Sequence, residues 1–288
     1  MNRIQQAAAN WRKAGLENDF VFSKVMTDPA ICLEIIQSIL PELTIKSIKP
    51  PRAQEEINPS NDAKGVRFDV YTTDDANNHY DIEMQVAESP NLFKRVRYYQ
   101  SLNAFASYER GENYNYAHNS YVIFICCFDP MGLERQYYSV NKRLNQDPTF
   151  LVWDEATDIY LNVTSERHEV PAKLQTFLDQ IAGRSSGQED AFGLKLRQKI
   201  TEVKHNKKWR ADFMRMSLME MDHQYELDQA VKQDRIQLVN GLRKQGQSKD
   251  EILTFLTTVM NLTEEQAQNC YQEARSNKSS LKDNLLHR

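Results

Sequence analysis

Cysteine is scarce in this chain of 288 residues: the four present, Cys32, Cys126, Cys127 and Cys270, are too few and too irregularly spaced for a secreted disulfide scaffold or a thiolate zinc site. The six histidines show no H-E-x-x-H pairing, so any bound metal would need carboxylates. Glycine-rich phosphate loops are missing too. Neither G-x-x-x-x-G-K-[ST] nor G-x-G-x-x-G occurs, which leaves an NTP-driven motor or a nicotinamide enzyme without support. No run approaches the roughly eighteen apolar residues of a membrane span, and the opening MNRIQQAAANWRKAG lacks a signal-peptide stretch. A cytoplasmic protein with no membrane partner is expected.

An excess of positive charge is also lacking. The formal net charge is −4, which counts against DNA, because phosphate neutralisation by Lys and Arg supplies most non-specific affinity. The charge is uneven, however: residues 195–210 (KLRQKITEVKHNKKWR) are basic and 220–228 acidic, so local patches remain open to a phosphate backbone. With 40% apolar and 10% aromatic residues, the chain has enough for a packed core.

Apolar residues from Phe20 to Leu40 recur at near-helical spacing, with a break at Asp28-Pro29. The stretch KPPRAQEEINPSND has no period and reads as a loop or an irregular edge strand, with structure resuming at Gly65. Period two then takes over: Val66, Phe68 and Val70 alternate with Arg67, Asp69 and Tyr71, and a TTDDANN turn leads to Tyr80, Ile82, Met84 and Val86. After this hairpin, SPNLFKRVRYYQSLNAFASY is an amphipathic helix, and SYVIFICCF is a central strand with Cys126 and Cys127 on opposite faces. RQYYSV and DIYLNVT are further strands. Helices dominate from Val170, and two capping boxes, Ser248 with Glu251 and Thr263 with Gln266, open two short ones. The expected division is a sheet domain over 1–184, a long helical region over 185–245, a helical hairpin over 246–275 and a disordered tail over 276–288.

If the hairpin turn centres on Ala76, Asp69 lies opposite Glu83, Arg67 opposite Gln85 and Tyr71 opposite Asp81. Two opposed carboxylates repel unless they share a cation or a proton. Hard oxygen ligands suit Mg²⁺ or Mn²⁺, which can activate water and offset charge on phosphorus. The same alternation also describes the solvated face of an amphipathic hairpin.

The segments NDFVFSKVM, GVRFDVYTTDDANNHYDIEMQ and FKRVRYYQS, in that order, resemble the recombination-promoting nuclease and transposase family, a bacterial branch of the PD-(D/E)-x-K nuclease superfamily. The likeness covers roughly residues 17–180, with QGQSKDEI and MNLTEEQ similar to the family's helical appendage. It implies an α/β, restriction-endonuclease-like mixed sheet flanked by helices, with a helical C-terminal region. It also implies a Mg²⁺- or Mn²⁺-dependent DNA endonuclease linked to recombination or transposition. By that resemblance Asp69 is the first catalytic aspartate, and Glu83-Met84-Gln85 stands at the (D/E)-x-K triplet. Asp69 and Glu83 would bind metal, with Asp19 as an extra acidic ligand or, alternatively, a helix N-cap. Gln85 replaces the lysine and brings no charge, which leaves room for an inactive nuclease-fold protein that binds DNA or a protein partner. Lys24 or Arg95 would supply the missing cation, while Tyr99 and Gln100 would pack on the hairpin or touch substrate backbone. Lys94, Arg95 and Arg97 also fit a solvated helix face. The last helix carries Glu264, Glu265 and Glu273, which favours homo-oligomerisation or docking over entry into a DNA groove.

Overall fold

Asn18 caps α2 (Asp19–Met26) by accepting the Val21 N–H, and Asp28 caps α3 (Pro29–Ile39) through Ala30 and Ile31, with Pro29 in the first turn. These two helices form the expected N-terminal helical layer, broken at Asp28-Pro29, and α1 (Arg3–Lys13) precedes them outside that expectation. The computed structural model describes residues 2–57, 66–107, 113–116, 118–184 and 190–283, so the expected restart at Gly65 and most of the GRSSGQ loop lie outside the described residues. The chain divides into two compact units, Ala8–Phe213, and Met1–Ala7 with Met214–Arg288. The larger unit runs on past residue 184 through one further helix and the first turns of the next.

Edge strand β1 (Arg52–Ile57) precedes the hairpin of β2 (Val66–Thr73) and β3 (His79–Gln85). Asp74 builds the turn between them, accepting from the Ala76 and Asn78 N–H groups, Asn78 Nδ2 and the Tyr80 hydroxyl at 2.7–2.9 Å, while Asn77 takes the left-handed conformation that asparagine tolerates. Helix α4 (Leu92–Ser107) crosses over to the central strand β4 (Ser120–Cys126). There follow β5 (Tyr137–Val140), a hairpin of β6 (Arg143–Leu144) and β7 (Asp147–Leu151), and β8 (Ala156–Asn162). The small hairpin had no counterpart in the sequence reading, since its exposed residues carry no apolar alternation.

The six-stranded sheet has the order β1-β2-β3-β4-β8-β5. Strands β3, β4 and β8 run parallel, and the outer pairs are antiparallel. Val122, Phe124 and Cys126 of β4 pack with Leu92, Val96, Tyr99 and Leu102 of α4. Ile123 and Ile125 alternate to the opposite face and are equally buried, so helices flank the sheet as expected. Cys126 is buried and Cys127 half-buried, both as free thiols.

Helices α5 (Ala172–Ile181), α6 (Ala191–His205) and the first turns of α7 (Lys207–Lys244) complete the larger unit. Trp11, Phe20 and Phe213 form an aromatic triad there, with centroids 5.0–6.2 Å apart. Three cations of the basic run at 195–210 are engaged within this unit. Lys195 pairs with Glu34, Lys199 with Asp28, and Lys204 donates to the carbonyls of Trp11 and Ala14. In the smaller unit, Ile236 and Val239 of α7 pack with Ile252 and Leu256 of α8 (Lys249–Thr258) and with Ala267, Cys270 and Ala274 of α9 (Glu264–Asp283). Both expected capping boxes form. Helix α9 continues to Asp283, past the end expected for it, and the last five positions of the tail lie outside the described residues.

Gln100 fastens α4 to the sheet. Its amide nitrogen donates to Thr157 O (3.1 Å) and Asp158 Oδ1 (2.9 Å), while its oxygen accepts from the Ser120 hydroxyl (2.8 Å). Replacing Gln100 with Ala leaves these partly buried groups unpaired, and the expected loss is about 1–3 kcal/mol of unfolding free energy, measured by urea denaturation.

Candidate active site on the hairpin

Backbone pairing of β2 with β3 runs from Thr73↔His79 to Val70↔Ile82, the expected register. At the next rung, carboxylates replace the ladder. The Asp69 N–H donates to Glu83 Oε1 (2.9 Å), and the Met84 N–H donates to Asp69 Oδ2 (3.0 Å). Asp69 also sits at a slip in the strand. Val66, Phe68 and Tyr71 share one apolar cluster, so the alternation changes phase between Phe68 and Tyr71. Across the β1 register, Gln54 faces Asp69 with a φ of 56°. The strand therefore does not keep one face throughout: Phe68 enters the core under Tyr99, rings 5.2 Å apart, and Arg67 is exposed.

Asp81, Glu83 and Gln85 lie beside Val122, Phe124 and Cys126 of β4 and so face α4. Glu83 is 3% exposed and Asp81 is wholly buried, and among the described residues no donor reaches either Asp81 oxygen. Burial first, then the opposing charge, moves these groups upward. Burial and the nearby Asp19 push Asp69 up to about 6, against the Met84 N–H; burial and Asp69 push Glu83 up to about 8; burial and Glu83 push Asp81 well above the usual carboxylate range. Asp81 is the residue that sequence reasoning missed as a member of the site. Its pairing opposite Tyr71 and its alternation with Glu83 and Gln85 were the available signal.

Arg95 joins the group from α4. Its guanidinium donates to Gln85 Oε1 (2.8 Å) and the Tyr99 hydroxyl (3.2 Å), stands 3.8 Å from Glu83 Oε2, and lies over the rings of Tyr99 and Phe124. Gln85 is held at its other end by donation to Ala87 O (2.6 Å). Tyr99 is buried, its hydroxyl pushed up to about 12 by burial and the charge of Glu83. Lys24 is placed differently: its ammonium lies 5.3 Å from the centre of the Phe20 ring, whereas the cations acting on Asp69 are Arg67 and Arg95.

The donor set suits a hard divalent ion. The inner oxygens of Asp69 and Glu83 are fixed by backbone N–H groups, leaving one oxygen of each to other partners. Mg²⁺ keeps several waters and commonly takes only one or two carboxylates. Asp19 lies near enough to raise Asp69, and among the described residues no three His, Cys, Asp or Glu side chains are gathered to hold an ion. It is exposed, its Oδ1 accepts the Phe20 N–H (2.7 Å), and the cap of α2 belongs to Asn18.

A model of PD-(D/E)XK nuclease family transposases matches residues 16–232. The chain belongs to this family. No curated protein and no solved structure matches it. Membership gives the chain a nuclease- or transposase-related function, in a family whose nucleases usually use divalent metal ions. The match runs past the 17–180 of the resemblance into α7 and ends before the tail segments QGQSKDEI and MNLTEEQ. Among the described residues, no helix is long and apolar enough to cross a membrane.

The raised carboxylates set a pH dependence. Asp69 and Glu83 have ordinary values of 3.8 and 4.5 when unfolded, so without metal the stability these two groups contribute is fully present below those values and is lost as pH rises through about 6 and 8. Differential scanning fluorimetry in EDTA should show the melting temperature falling between pH 5 and pH 8, with a shallower fall for Asp81→Asn. Added Mg²⁺ should raise the melting temperature most at the alkaline end, because ligand carboxylates must first be deprotonated.

Proposed function

We propose that the chain is a metal-dependent DNA endonuclease that hydrolyses phosphodiester bonds with Mg²⁺ or Mn²⁺, in the cytoplasm, in the course of DNA recombination or transposition. One observation carries this reading: Asp69 and Glu83 are held together by reciprocal backbone hydrogen bonds, with the Arg95 cation beside them. A family of nucleases and transposases supplies the substrate class and the metal preference.

In this reading Asp69 and Glu83 hold the ion, which when bound supplies an activated water and relief of charge at phosphorus. Arg95 takes the part of the absent triplet lysine, offsetting negative charge on the scissile phosphate. Gln85 is a positioning residue, keeping the guanidinium beside Glu83 while anchored on Ala87 O. Tyr99 supports the guanidinium from below. Asp19 acts on Asp69 through its charge, and Lys24 is assigned to the substrate backbone.

The chief support for an inactive DNA- or protein-binding role was the uncharged Gln85, and the hydrogen-bonded Arg95 removes much of that reason. The acidic first turn of α9, Glu264 and Glu265, disfavours its entry into a DNA groove and supports homo-oligomerisation or docking for the helical tail.

Plasmid nicking tests the reading. The wild type should cut with Mg²⁺ or Mn²⁺ and not in EDTA, and Asp69→Ala and Glu83→Ala should each lose at least about 10²-fold. Metal-dependent cutting retained by both variants would place the chemistry elsewhere. Gln85→Lys alone should not accelerate cutting, because the new ammonium meets Arg95. Combining it with Arg95→Gln should recover activity that Arg95→Gln alone loses.

A further inference from the structure

A cavity of about 440 Å³ opens beside the carboxylate pair, lined by Arg67, Asn91, Lys94, Arg95, Tyr98 and Tyr99. Its lining holds three cations and no acid. Two other cavities of the same unit contain acids, one lined by Arg135 with Glu42 and Glu169, the other by Lys173 with Glu34. In a chain of formal charge −4, a cationic concavity of this kind marks a place for an anion. Arg67 and Lys94 are exposed at the cavity, and among the described residues neither has an ion-pair partner. Arg95 forms the wall shared with the candidate active site, since it also contacts Gln85 and Glu83. Arg67 acts on Asp69 from the same side.

The shape narrows the class of ligand. A continuous duplex backbone lies along an open groove, whereas this is a concavity of ligand size with aromatic walls. Tyr98 is half-buried against the α4 cluster, and Tyr99 lies beneath it in the core. An aromatic face bordered by cations is the arrangement that takes an unpaired base and its phosphate, because every base has a face to stack and the backbone carries the charge. Asn91 adds an amide able to pair with a base edge or a sugar hydroxyl.

We infer that this cavity receives one unpaired nucleotide of a DNA strand, its base on Tyr98 and its phosphate on Arg67 and Lys94, so that the neighbouring phosphate reaches the wall formed by Arg95, beside the Asp69–Glu83 pair. The substrate is then DNA with a single-stranded or unstacked nucleotide beside the cut, not an uninterrupted duplex. The inference rests on the nuclease reading and adds the strand form to it.

Fluorescence anisotropy in EDTA reads the cavity without reading catalysis. The probes are a labelled oligothymidylate strand, a blunt duplex of equal length, and that duplex carrying one bulged thymidine. The wild type should bind the single strand more tightly than the blunt duplex. Tyr98→Ala should weaken single-strand binding roughly tenfold, and Tyr98→Phe should restore it, since the ring and not the hydroxyl does the stacking. The Arg67→Ala/Lys94→Ala double variant should reduce the slope of log K against log salt by roughly 1.4, about 0.7 for each single-strand phosphate that is no longer neutralised. Tight binding of the bulged duplex would extend the site to a nucleotide swung out of a helix; weak binding would confine it to true single strands. Circular dichroism and melting temperature establish that each variant is folded. Equal binding of blunt duplex and single strand by the wild type, or single-strand affinity unchanged in folded Tyr98→Ala, would overturn the inference. Metal-dependent plasmid nicking that disappears in Asp69→Ala would then still stand, so failure of the cavity and failure of the nuclease reading are separable.

Discussion

Asp69 and Glu83 would repel each other in the protein interior, yet the backbone of the opposite strand holds each in place. The Asp69 N–H binds Glu83, and the Met84 N–H binds Asp69. This exchange stands where a pair of ladder hydrogen bonds would otherwise close the hairpin, so the two strands remain joined through side chains. The cost is a pair of buried acids whose charged forms the surroundings resist. Much else in the larger unit serves to make that cost tolerable. Parallel pairing with β4 buries Glu83, α4 brings Arg95 to its second oxygen, and the slip at Asp69 lets Phe68 pack under Tyr99 while Asp69 turns toward Glu83's strand.

Helix α4 links the two ends of this arrangement. Arg95, one turn in, reaches the carboxylates, and Gln100, further along, grips the starts of β4 and β8. A helix fixed at the sheet in this way presents its guanidinium at a set height above Glu83. Placement by a rigid element is what a charge needs if it is to act at a defined point and not as a diffuse field.

The hairpin was legible in the sequence because period two, a TTDDANN break and a register centred on Ala76 are all local signals. The register holds through Val70↔Ile82. The change of phase at Asp69 was not legible, because it depends on what Phe68 and Tyr71 pack against, and tertiary contacts decide that. The same limit hid Asp81: alternation puts it on the face of Glu83, but nothing local shows that β4 and α4 will bury it. At residues 195–210 composition could not separate the cations that tie helices together, Lys195, Lys199 and Lys204, from the exposed Lys207, Lys208 and Arg210. The capping boxes near the C-terminus were read correctly, since Ser-x-x-Glu and Thr-x-x-Gln each satisfy their own N–H groups within one turn. The extent of α9 was not, because a polar sequence gives no periodic end point.

The contact between Gln85 and Arg95 separates two duties that a lysine at position 85 would combine: marking the place on the strand and carrying the charge. Here the strand supplies only an amide oxygen as an address, and the cation travels on a helix ten residues away. Position 85 is then free to vary among side chains that accept a hydrogen bond at that reach, while the identity of the residue at 95 is constrained. A search that scores the triplet alone would read such a chain as damaged, although the positive charge stands 3.8 Å from the glutamate it accompanies.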